Sequence, residues 1–152
     1  LLINYNIVVP SGTAQNHLLI REFVALVNAT APDGALSFSD TQTRPFMKFW
    51  SNLIISEYLK NENDFLCRFL GTTLVKNYGA DHTGKLMSER GTKEAQEFLM
   101  QLNLDVLKGE GLIYASGNVF WETKTNKRWH QVRTGLKYGK IIDATLGFVV
   151  FE

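Results

Sequence analysis

The segment from Ile141 to Phe151 is apolar on both parities: Ile142, Leu146, Phe148 and Val150 on one, Ile141, Val149 and Phe151 on the other. A strand with that pattern is covered on both faces, because a strand with one wet face alternates apolar with polar residues. The chain must therefore supply or recruit a layer on each side of the sheet that holds it. Material is available. About 45% of the 152 residues are apolar, and a domain of this length can bury a core of its own. Aromatic residues are abundant, with ten Phe, five Tyr and three Trp, and such side chains fill cores or line pockets.

Four further segments read as strands. Leu112 to Trp121 carries an irregularity at Gly117, and Lys124 to Lys127 forms a turn into Arg128 to Leu136. Tyr138-Gly139-Lys140 is the turn before the final strand. Earlier, Leu53 to Leu59 and Phe65 to Leu70 flank a polar turn and fit a hairpin. The covering layers are helical. Leu18, Leu19, Phe23, Leu26 and Val27 recur at helical spacing, which predicts an amphipathic helix over 15–29 with Thr13 as N-cap. It ends in the turn Ala31-Pro32-Asp33-Gly34. Ala95, Phe98, Leu99, Leu102 and Val106 share the face of a second helix, near 93–107, capped by Thr92 and closed by Gly109 and Gly111. Short helical turns are expected at Phe46 to Trp50 and after Gly71-Thr72, the latter stopping at Gly79. Residues 35–45 read as polar and irregular, and Leu1 to Val9 fits a strand or a helical turn equally. The order is helix, two strands, short helices, one longer helix, three strands, an α+β arrangement around one antiparallel sheet.

Several function classes are disfavoured. Sixteen basic and fifteen acidic residues leave a net charge of +1, so no large field draws the chain to nucleic acid or to an anionic membrane. Cys67 is the only cysteine, which rules out a disulfide within the chain and a multi-cysteine metal site, and fits a reducing cytoplasm. No stretch approaches the length of a membrane span. Leu1 to Pro10 lacks the basic region and cleavage site of a signal peptide, and a start without Met leads us to expect residues before Leu1.

The stretch Arg68-Phe69-Leu70-Gly71-Thr72, followed by Tyr78-Gly79-Ala80-Asp81-His82-Thr83-Gly84-Lys85, resembles an Arg-x-x-Gly-Thr … Tyr-Gly-x-Asp-x-Thr-Gly-Lys pattern of a bacterial PAS subfamily. The run from Trp129 through Gly139 to Gly147 is similar to that family's last hairpin, whose final strand often carries Gly near its middle. Gly135-Leu136-Lys137-Tyr138 departs from the family's Leu-Pro, leaving the register of that strand open. The resemblance spans residues 17 to 152. It implies a single PAS-like domain: an N-terminal extension at 1–14, a helix at 15–29 and a core at 46–152. It also implies a five-stranded antiparallel sheet with helices on one face beside the N-terminal helix. The implied role is sensory or regulatory, with no particular ligand attached.

Candidate chemistry is sparse. Cys67-Arg68-Phe69-Leu70 superficially matches the flavin-reactive stretch of light-sensing PAS domains, but Cys67 sits on a strand, before the Thr-Gly-Lys turn, and reads as a small buried thiol. None of His17, His82 and His130 is placed as a haem ligand, and no His or carboxylate pair has metal-ligand spacing. No flavin, haem or metal is therefore expected, and no catalytic residue is assigned. The residues expected to line a ligand cavity are Tyr78, Phe98, Leu102, Tyr114, His130 and Thr134, each of which also suits ordinary packing. His130 shares a parity with Val132, Thr134 and Leu136, which would face the pocket; Trp129 and Arg133 would then meet the N-terminal helix or a second subunit. The leading expectation is a non-enzymatic sensory module in signal transduction that binds a small ligand or a protein partner, forming a homodimer through helix 15–29. The alternatives are a pure interaction module with a filled core and a small isomerase- or dehydratase-like α+β enzyme.

Overall fold

The computed structural model describes residues 13–32, 35–109, 111–118 and 127–152. The chain opens with α1 (Thr13–Asn16) and α2 (Leu18–Thr30), then β1 (Leu36–Ser37) and α3 (Phe38–Thr41). A 3-10 helix, Arg44–Asn52, leads into the hairpin β2 (Leu53–Leu59) and β3 (Asp64–Leu70). After α4 (Thr72–Tyr78) and a 3-10 turn, Met87–Glu89, comes the longest helix, α5 (Lys93–Lys108). Strands β4 (Ile113–Asn118), β5 (Arg128–Lys137) and β6 (Ala144–Phe151) follow.

One mixed sheet unites the strands. Its order is β3-β2-β6-β5, and the outer edge of β5 is shared by β4 and β1. Every pairing is antiparallel except that of β1, which runs parallel to β5 at Leu36↔Leu136 and Ser37↔Lys137. The expectation of a purely antiparallel five-stranded sheet is corrected here. Residues 35–45 are not irregular: Ser37 and Asp40 form a reciprocal capping box that starts α3, and this fixes β1 against β5.

Period-two alternation sorts the strands into two cores. Leu53, Ile55, Val132, Leu136, Leu146, Phe148 and Val150 face α2, which presents Ile20, Phe23 and Val27 at helical spacing. Ile54, Trp129 and Val149 face α5, which presents Ala95, Phe98, Leu102 and Val106. Helices thus lie on both faces of the sheet, as the two-sided final strand requires, and α2 meets that need from within the chain.

Three boundaries differ from expectation. Helix 15–29 is two pieces, because His17 is extended (φ −68°, ψ 129°) and its Nδ1 accepts the Leu19 N–H at 3.2 Å, capping α2 in place of Thr13. The final strand begins at Ala144, not Ile141, because the Asp143 carboxylate accepts the backbone N–H groups of Tyr138 (2.7 Å) and Gly139 (3.1 Å) and closes a turn. Ile141 and Ile142 ride on that turn, exposed to 71% and 44%. In α4 the cap position belongs to Gly71, with Thr72 first in the helix, while Gly79 ends it at φ 81°. The expected features at Leu1 to Gly12, at Asp33-Gly34 and from Val119 to Asn126 lie outside the described residues.

Candidate functional site

A cavity of about 220 Å³ lies between α5 and the sheet. Its wall is mostly apolar: Ile54 and Val149 from the sheet, Ala95, Phe98 and Leu99 from α5, and Trp129 from β5. Its polar groups are Ser56, Tyr78, His82, Arg90, Gln131 and Arg133. The volume is just below the usual range for small-molecule sites.

The Tyr78–Lys85 motif positions two of those groups. Gly79 turns the chain out of α4. Asp81 Oδ1 then accepts from both the backbone N–H (3.0 Å) and the hydroxyl (2.7 Å) of Thr83, and these bonds hold its carboxyl below the usual range. Gly84 follows at φ 84°, and its N–H donates to Cys67 O while Cys67 N–H donates to Lys85 O. The turn is thereby zipped to β3 and sets His82 at the cavity. Next, Asp64 accepts from the Ser88 hydroxyl at 2.5 Å and pins the 3-10 turn, and Gln96 on α5 donates to Arg90 O at 2.9 Å. The backbone of Arg90 is anchored at both ends. Its side chain is not: Nε and Nη2 are buried and have no hydrogen-bond partner among the described residues. The same holds for Ser56 Oγ and His82 Nδ1.

Arg133 is held differently. It is 2% exposed. Nε donates to Gln131 Oε1 at 2.6 Å and Nη1 to Asn103 Oδ1 at 3.0 Å, and Asn103 Oδ1 also accepts from Thr145 Oγ1 at 2.6 Å. All of these partners are neutral. Arg133 pairs in register with Gly147, where an added Cβ would sit 3.2 Å from the guanidinium carbon. The glycine in the final strand is the space through which the arginine crosses the sheet. Burial pushes this guanidinium down from 12.5 to about 10, because removal from water disfavours the charged form. Burial likewise lowers Arg90 and His82, and raises Tyr78 and Cys67.

Of the residues expected at the site, Tyr78 and Phe98 line the cavity, and Leu102 is fully buried in the α5-side core beside it. The other three are elsewhere. Tyr114 packs against the α2-side core, and Thr134 shares that face. His130 also points to the α2 side: Nδ1 is 2.8 Å from Ser116 Oγ, Nε2 is 2.5 Å from Glu152 Oε1, and its ring is 5.8 Å from that of His17. The parity of β5 is the reverse of the expected one, so Trp129, Gln131 and Arg133 face the cavity. β5 carries polar residues on both parities, so hydropathy does not distinguish its faces.

Ser56, His82, Arg90, Gln131 and Arg133 line the cavity outside the sequence expectation. One usable signal was present: Gly147, a glycine inside an otherwise apolar strand, marks a close crossing. No helix among the described residues is long and apolar enough to cross a membrane. Compared with known proteins, the chain matches no family model, no curated protein and no solved structure.

Proposed function

We propose that the chain is a PAS-like sensory module that takes up a small molecule in the cavity between α5 and the sheet and acts by binding, not catalysis. The observation that carries this reading is a walled space with four polar atoms buried at its margin and unpartnered among the described residues: Ser56 Oγ, His82 Nδ1 and Arg90 Nε and Nη2. Buried polar groups are normally satisfied, so a cluster left open around a cavity is what a ligand site requires. Family membership is supported by the element order and by the antiparallel run β3-β2-β6-β5-β4. Binding would shift the balance between conformations only to the extent that the ligand prefers one of them.

The test is native mass spectrometry of gently purified protein beside Ala95→Phe, which places a ring in the cavity. A near-stoichiometric adduct on the unmodified protein that is absent from the variant is the expected result. A bare mass for both, with no small molecule raising the melting temperature, would favour a pure interaction module.

A further inference from the structure

We propose that the occupant of this cavity is a small organic anion, a carboxylate head on an apolar body, gripped by Arg133 and Arg90. This rests on the reading of the cavity as a ligand site. Among the described residues, two guanidiniums line the space and no Asp or Glu does. Asp64 attracts Arg90 from a distance while its oxygens accept from Ser88, and Glu57, Asp81 and Glu89 are bonded to Arg68, Thr83 and the Leu86 N–H. A buried charge without a counter-charge is among the most unfavourable arrangements a fold can hold. Among the described residues, Arg133 hydrogen-bonds only the amide oxygens of Gln131 and Asn103, and Arg90 presents Nε and Nη2 with no acceptor.

A guanidinium has five donors in a planar fork that matches a carboxylate edge. Two donors of Arg133 are occupied, which fixes the plane of the group and leaves the rest for an acceptor. A fork held in this way is pre-organised, so little ordering remains to be done when the anion arrives. Burial and the charges of Arg90 and Lys85 hold His82 below its usual range, which favours its neutral form beside the two guanidiniums. The apolar wall of Ile54, Ala95, Phe98, Leu99, Trp129 and Val149 argues against a bare inorganic ion and for a hydrocarbon body, aromatic or branched. The volume of about 220 Å³ limits that body to a small one.

The experiment compares matched pairs, benzoate with benzamide and phenylacetate with phenylacetamide, by calorimetry and thermal shift. It uses the unmodified chain, Arg90→Gln and Arg133→Met. The acids should bind at least tenfold more tightly than the amides to the unmodified chain. Arg90→Gln should erase that preference while leaving amide binding in place. Arg133→Met should raise the melting temperature of the empty protein and lose the acid-dependent rise, whereas an arginine with a purely structural role would lower the first. Amides binding as tightly as acids, with Arg90→Gln silent, would overturn the anion and leave the ligand site standing. Failure of all four probes to bind would overturn the anion, and an adduct absent as well from native mass spectra would remove the site itself.

Discussion

The two faces of the sheet are built from the same kinds of side chain to opposite ends. Against α2, Phe23 stacks on Phe148 at 4.8 Å and meets Phe49 edge-on at 5.4 Å, while Phe49 also meets Phe148 at 5.4 Å. Phe23 and Phe46 are fully buried. Against α5, Phe98 and Trp129 lie 5.9 Å apart and Tyr78 and Phe151 6.1 Å apart, beside a cavity edged with polar atoms. A chain of this size can carry a cavity on one face because on the other the rings pack against one another. Aromatic content alone could not have told which face was which.

The largest effect should come from the filled side. Phe148→Ala removes a ring that touches two others in a dry core and should cost roughly 3–5 kcal/mol, read as a fall in the denaturant midpoint at unchanged slope. A smaller loss there would mean that the α2 face is looser than its ring geometry indicates. A matched pair of enlargements sharpens the contrast. Ala144, fully buried on the α2 side, and Ala95, at the cavity wall, are each changed to Leu. The first should lose about 1–3 kcal/mol to overpacking. The second has room and should change stability by less than about 1 kcal/mol. Equal losses would show that the hollow face is not hollow in solution. Gly147→Ala would press its Cβ on Ile54 at 2.9 Å and on the Arg133 guanidinium at 3.2 Å. Ile54 Cγ2 sits one bond from its own Cβ and the guanidinium is held by two hydrogen bonds, so a loss of about 1–3 kcal/mol is expected. Benzoate affinity should fall more than stability does, and an unchanged affinity would separate Gly147 from the placement of Arg133.

The filled face was the legible one. The spacing of Phe23 and Val27 and the two-sided pattern of residues 146–151 predict a helix on one side of a doubly covered strand, and both are found. Helix α5 was legible through Ala95, Phe98, Leu102 and Val106, with its Thr92 cap. The hollow face was not, because a ligand site violates the rule that sorts polar from apolar. Gln131 and Arg133 are buried polar residues, and Arg90 sits in a polar loop that reads as solvent-facing. Ile141 and Ile142 misled in the opposite sense, being apolar and exposed on a turn that Asp143 organises. The helix expected to serve a dimer spends Phe23 and Val27 on its own sheet; Leu18 and Leu19, exposed to 67% and 46%, are what it leaves for a second copy.

His130 gives β5 a mechanical character. On one side of the strand it is clasped by Ser116, His17 and Glu152; on the other, its immediate neighbours Trp129 and Gln131 border the cavity. Alternation along a strand places these groups back to back on one stiff rod. A group that presses on Gln131 and Arg133 from the cavity therefore presses on the same strand that holds His130 against His17 and Glu152, two points far apart in the sequence.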